Sequence, residues 1–192
     1  MCRLLAIAGT DLSGQSDTVR RFGNLAATGK VAPGSNPGHM DGWGLVAYRD
    51  GRLVYQQKEA DQADHNPVYT TASAAALGER PTVVIGHLRK TNEKPNRENS
   101  HPFTQEGLSF CHNGAIFEPE RLPLDAVALK QREGTTDSER FFLYLLQRLR
   151  TGLSPDPVTA LRDAFYFIRD NLGYSALNIV LSDGSTTWVC GR

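Results

Sequence analysis

Apolar residues in this chain gather mostly in short runs, each broken by glycine, aspartate or asparagine. That is the pattern of half-buried strands joined by tight turns. Residues 4–8 form one such run. Residues 44–48 and 52–56 flank Asp50-Gly51, a dipeptide that favours a hairpin turn. Residues 82–88 are rich in β-branched side chains, and residues 108–111 lead into His112-Asn113-Gly114. A further strand is expected at 115–117. Residues 176–181 and 186–190 flank Asp183-Gly184, a second expected hairpin. Four segments repeat their apolar residues at helical spacing instead: 16–27, the alanine-rich 67–78, 136–150 and 157–171. The third starts with Thr136 and has Glu139 three residues on, the capping-box pattern. The fourth has Pro157 in its first turn and Gly173 just past its end. Hairpin strands with two helices in each half predict an α+β fold, antiparallel sheet layers with helices packed outside. Long loops are expected at 32–43, which is rich in Gly and Pro, and at 90–103, which is polar.

The bulk properties narrow the field of functions. The 192 residues suit one domain, expected to span residues 2–192. Twenty-one basic and 21 acidic residues cancel, so there is no overall pull toward nucleic acid or an anionic membrane surface. No apolar run reaches the roughly 20 residues needed to span a bilayer. The apolar start is too short for a secretory signal and predicts a buried strand. Three widely spaced cysteines, Cys2, Cys111 and Cys190, argue against a disulfide framework and for a reducing, cytoplasmic setting. No pair of them has zinc-ligand spacing, so no metal is expected.

Four features could carry chemistry, although each alone is as well explained by an ordinary structural role. Cys2 becomes the amino-terminal residue if Met1 is removed, as happens when the next side chain is small. A thiol would then sit beside a free α-amine with a pKa of about 7.7–8.0, which can take its proton. The bland alternative is a cysteine packed as a small hydrophobe. Arg89 ends a strand-like run and opens a loop, where a guanidinium can clamp a carboxylate or simply face solvent. Asn113 and Gly114 could donate a side-chain and a main-chain N–H to an oxyanion, each worth about 3–4 kcal/mol of barrier, or could form a common Asn-Gly turn. Asp137 opens a helix, where its charge suits the helix dipole or a substrate ammonium group.

Order and spacing join these features into one pattern. Cys2-Arg3-Leu4-Leu5, Asp41-Gly42-Trp43-Gly44, His87-Leu88-Arg89-Lys90, Asn99-Ser100-His101-Pro102-Phe103, Cys111-His112-Asn113-Gly114 and Thr136-Asp137-Ser138-Glu139 follow one another along nearly the whole chain. Together they resemble the class II glutamine amidotransferases of the amino-terminal nucleophile hydrolase superfamily. Among these, the stand-alone members are most similar, including predicted glutamine amidotransferases and the γ-glutamyl amidase of ergothioneine biosynthesis. The resemblance implies a four-layer αββα sandwich, two antiparallel sheets between helix layers. It implies that Cys2 attacks the side-chain amide of glutamine and that Asn113 and Gly114 hold the oxyanion. Arg89 and Asp137 would grip the α-carboxylate and α-ammonium, with Asn92 and Trp43 also at the substrate. No cofactor is implied, since nucleophile and base are protein groups. The chain departs from many relatives in the Lys90-Thr91-Asn92 stretch and in ending soon after its last strand.

The implied partner is glutamine or another γ-glutamyl small molecule. Ammonia would pass to a separate synthase subunit, or the chain would hydrolyse a γ-glutamyl amide and need no acceptor. A glutamine-binding module without activity is the non-enzyme alternative. A papain-type protease would need a histidine paired with Cys2, and nothing in the sequence pairs His87, His101 or His112 with it.

Overall fold

The computed structural model describes residues 2–31, 33–35 and 37–191. Met1, whose removal is expected, lies outside the described residues, as do Ala32 and Asn36 of the first long loop and Arg192 at the expected domain end. Among the described residues are strands β1 (Arg3–Ala8), β2 (Trp43–Arg49), β3 (Arg52–Glu59), β4 (Val83–Leu88), β5 (Phe103–Gln105), β6 (Leu108–Asn113), β7 (Asn178–Ser182) and β8 (Thr187–Cys190). The helices are α1 (Ser16–Thr28), α2 (Pro67–Gly78), α3 (Ala126–Lys130), α4 (Asp137–Arg150) and α5 (Pro157–Asn171). The strands form two antiparallel four-stranded sheets, ordered β1-β4-β2-β3 and β5-β6-β7-β8.

Alternation along the strands sorts side chains into three cores. Trp43, Leu45 and Ala47 of β2, with Val84 and Leu88 of β4, pack under α1 and α2. Their neighbours Val46, Tyr48, Val83 and Ile85 turn the other way and meet Cys111 of β6 and Val180 of β7. Phe110, Ile179 and Leu181 on the far face of the second sheet pack against α4 and α5. Three apolar interfaces define four layers, the αββα sandwich implied by the resemblance. Aromatic packing ties α4 to its sheet: Phe110 stacks on Phe142 at 5.4 Å between ring centroids and meets Phe141 edge-on at 5.2 Å. Burying each such ring stabilises the fold by about 2–3 kcal/mol.

Turn chemistry matches the strands it joins. Asp50 and Gly51 both have positive φ, 52° and 76°, as a two-residue hairpin turn requires. Asp183 accepts from the N–H groups of Ser185 and Thr186, and Gly184 has φ 83°. β5 lies at the edge of the expected polar loop and was not legible as a strand. It is three residues long and turns into β6 through Glu106-Gly107, at φ 52° and 79°.

The expected strand at 115–117 is absent. Main-chain bonds pull this segment toward residues 173–175 instead of back along β6. Phe117 N donates to Gly173 O at 2.8 Å and Ser175 N to Ala115 O at 2.9 Å, leaving one isolated bridge between Ile116 and Tyr174. The capping box at α4 is half formed. Thr136 Oγ1 accepts from Glu139 N at 3.1 Å, but the Glu139 carboxylate takes the N–H groups of Glu133 and Gly134, at 2.7 and 2.9 Å.

Candidate active site

Strand geometry brings the first candidates together. Cys2 precedes β1 and has the parity of Leu4, which faces the core between the sheets. On β6, Asn113 has the parity of Cys111, which faces the same core. The ends of the two strands therefore meet between the sheets. The Cys2 main-chain nitrogen donates to Asn113 Oδ1 at 2.8 Å, and Asn178 Nδ2 donates to Asn113 O at 3.2 Å. β1 runs antiparallel to β4 with Arg3 opposite Leu88, so the chain leaving β4 passes in front of Cys2. There Lys90 N donates to Cys2 Sγ at 3.4 Å, and Sγ donates to Lys90 O at 3.7 Å.

Arg89 is only 5% exposed, and its buried Nη1 has no hydrogen-bond partner. Its main chain is fixed from both sides: Arg89 N donates to Gly42 O at 2.7 Å and Asp41 N to Arg89 O at 3.2 Å. Burial works against its charge, and Cys2, Glu93, Asp41 and Asp137 act to restore it. A guanidinium held this way, with a nitrogen unused, is ready for an anion. Asp137 is the first residue of α4, and its Oδ2 accepts from Ile116 N at 2.7 Å.

A cavity of about 360 Å³ joins Cys2, Arg89, Gly114, Asp137, His112 and Thr136, among others. Gly114 must be glycine at this wall, because a Cβ would run into the Ala176 carbonyl. Asn113 does not line the cavity but is held beside it by its bond from Cys2 N. Trp43 and Asn92 are not brought to it. Trp43 sits on the helix-facing side of β2, fully buried and edge-on to Tyr69 at 5.1 Å. Asn92 lines a neighbouring cleft of about 460 Å³ with Met40 and Asp41, which shares the Lys90-Thr91 wall with the Cys2 cavity. A groove of about 380 Å³ between α1 and α2, lined by Arg20, Tyr69 and Leu77, holds none of the candidate residues.

Two residues that sequence reasoning did not assign to the site hold its floor. Asn99 is buried; its Oδ1 accepts from Thr135 N at 2.8 Å and its Nδ2 donates to Thr135 Oγ1 at 2.9 Å. Glu139, through Glu133 and Gly134, holds the same approach to Asp137. The sequence signal was the Asn99–Phe103 motif and the Thr136–Glu139 box, each readable without reference to Asp137.

The electrostatics leave Cys2 in need of a base. Burial pushes its thiol up, and Asp137 adds to this; the Lys90 N–H and Arg89 pull it back. Burial disfavours the charged form of His87, His101 and His112. His112 is pulled down by burial, with Nδ1 on Ser138 Oγ at 2.9 Å and Nε2 on Ala176 O at 3.1 Å. Burial takes His87 down to about 3 and His101 well below its ordinary value. Cys111 is buried and Cys190 exposed, both as free thiols. Among the described residues no helix is long and apolar enough to cross a membrane.

Comparison with known proteins fits this arrangement. No curated protein matches the chain by sequence. It superposes on a glutamine aminotransferase class-II domain protein from Silicibacter pomeroyi with a TM-score of 0.55 at 19% identity, over 77% of this chain and 68% of the other. For the glutamine phosphoribosylpyrophosphate amidotransferase of B. subtilis the TM-score is 0.61 at 17% identity, over 100% of this chain and 37% of that one. For a predicted glutamine amidotransferase from Pseudomonas aeruginosa it is 0.51 at 23% identity, over 80% and 61%. At such identities the likeness establishes the fold, and the chain spans little more than a third of the B. subtilis enzyme. The family model for class-II glutamine amidotransferases matches residues 1–191, and the chain therefore belongs to that family of enzymes.

Proposed function

We propose that the chain hydrolyses the side-chain amide of a glutamyl group through a thioester on Cys2. The observation that supports this most is one cavity holding the Cys2 thiol, Gly114, Asp137 and the buried Arg89, whose Nη1 is unpartnered. In the processed chain the nitrogen beside Asn113 Oδ1 is a free amine. That contact orients it to take the thiol proton as Sγ attacks the amide carbon. With Oδ1 engaged, Asn113 Nδ2 and the Gly114 N–H are the donors for the oxyanion. The same amine protonates the departing nitrogen, ammonia leaves, and water cleaves the thioester to give glutamate and the free thiol. Arg89 pairs with the α-carboxylate and Asp137 with the α-ammonium, which selects the end of a free glutamyl group. Ammonia then passes to a separate synthase. The mechanism needs a free thiol, which a reducing cytoplasm maintains.

The neighbouring cleft favours a second reading. Ammonia needs no space of about 460 Å³ beside the nucleophile, whereas the amine of a larger γ-glutamyl amide would occupy it. Turnover of glutamine measured beside that of γ-glutamyl amides, with and without candidate synthases, separates the two.

The test of the common chemistry uses protein whose mass shows Met1 removed. A glutamine-analogue electrophile should label Cys2, located by peptide mapping, and Cys2→Ser should abolish turnover while Cys111→Ser should not. Full turnover by protein that retains Met1 would refute the mechanism.

A further inference from the structure

The wall beside the nucleophile is a turn with a structural logic of its own. β4 ends at Leu88, and residues 89–91 then cross in front of Cys2. Three bonds anchor this crossing to the segment before β2: Arg89 N to Gly42 O at 2.7 Å, Asp41 N to Arg89 O at 3.2 Å, and Thr91 N to Asp41 Oδ2 at 2.8 Å. Lys90 lies between the anchored residues. Its carbonyl receives the S–H of the neutral thiol, and its N–H donates to the sulfur once the proton is gone. A hydrogen bond to a charged acceptor is stronger than one to a neutral acceptor, so the N–H favours the thiolate.

We propose that Asp41 is a positioning residue that acts through Lys90: its carboxylate fixes the 89–91 turn so that the Lys90 N–H faces Cys2 Sγ and stabilises the sulfur as an anion. This deepens the proposed function, since it governs the reactivity of the same nucleophile. Charge and position predict opposite effects. Asp41 is negative, so deleting it for charge alone favours a thiolate nearby. Deleting it as an anchor loosens Lys90 and disfavours one. In the processed chain the thiol has its own α-amine beside it; the other groups facing Cys2 are Arg89 and Asp137, with Glu93, His101 and His112 on the cavity wall and Cys111 in the core beneath. Substitution at position 41 deletes none of them.

The test is the rate of iodoacetamide alkylation at Cys2 against pH, in full-length protein with Met1 removed and the adduct located by peptide mapping. Asp41→Ala should move the midpoint up by about one pH unit, so that alkylation below the midpoint slows roughly tenfold. Asp41→Asn keeps an acceptor for Thr91 N–H and loses the charge. Its midpoint should stay at the wild-type value or fall. An Asp41→Ala profile that matches wild type, or an Asp41→Asn midpoint raised by as much as a unit, overturns the proposal. The second outcome is readable even if Asp41→Ala does not fold. Wild-type protein that alkylates as described yet releases no ammonia from glutamine or γ-glutamyl amides refutes the functional reading and leaves this one standing.

Discussion

Asn99→Ala probes whether the floor of the cavity is set by residues outside it. Asn99 is 2% exposed and makes two bonds to Thr135, one to its N–H and one to its hydroxyl. Each neutral bond contributes about 0.5–1.5 kcal/mol. Thr135 is exposed, so water replaces the lost partner, and the stability cost sits near 1 kcal/mol. The larger effect should fall on Asp137, two residues on. Glu139 still holds Glu133 and Gly134, so the loop loosens without collapsing. Loss of about 1–1.4 kcal/mol of substrate binding corresponds to a KM raised five- to tenfold, with kcat changed less than about twofold. Steady-state ammonia release at several substrate concentrations reads this split, with Asp137→Ala and the double variant completing a cycle. Asn99→Ala should add little once Asp137 is gone, because it acts through that residue. A KM at the wild-type value, or full additivity with Asp137→Ala, would refute the reasoning.

Arg89→Lys keeps the charge and loses the fork; KM should rise roughly 10- to 100-fold with kcat nearly unchanged, and a matching fall in kcat would remove Arg89 from ground-state binding. Asn113→Ala should lower kcat by about 10²–10³ with a smaller effect on KM, measured in the same assay, and a kcat within tenfold of wild type would exclude it from the oxyanion site. Stability should fall on acidification. The unfolded chain protonates His87 near its ordinary value of about 6.5, whereas the folded chain does so only near 3. The stabilisation is therefore complete above about pH 6.5 and is lost progressively as pH drops toward 3, with His101 and His112 shifted in the same direction. Urea midpoints at pH 7.5 and pH 5 measure it, and equal midpoints would count against the neutral, buried imidazoles.

Most of the secondary structure was readable because its signals are local. The alanine-rich α2 and the proline-led α5 begin and end where their residues predict. Asp50-Gly51 makes its hairpin because both residues tolerate positive φ. What escaped was short or tertiary. β5 has three residues, too few for a period to show. α3 has five, held by the Asp125 cap and by Asp125 N donating to Gln147 of α4. The four-layer arrangement came from resemblance, since strand alternation alone does not say which face meets a helix. Trp43 shows this. Its motif suggested a pocket residue, but its parity on β2 turns it away from the second sheet toward α2.

The site was partly visible for the same reason. Asn113-Gly114 is the sequence of a hairpin turn, yet Asn113 ends a strand and pairs with Asn178. The turn does not form because the Gly114 backbone lies against the Ala176 carbonyl, where a side chain could not fit. Glycine is required there for close approach, not for reversal of the chain. That approach leaves the Asn113 side chain facing inward, where its parity on β6 meets that of Cys2 at the head of β1. Local propensity cannot report such a meeting, because it depends on two sheets stacking with their strand ends aligned. Chemistry and packing thus favour the same residues for different reasons. Of the six motifs, each weak alone, five supply residues to the wall of a single cavity, and the one at Asp41–Gly44 anchors the turn that crosses in front of Cys2.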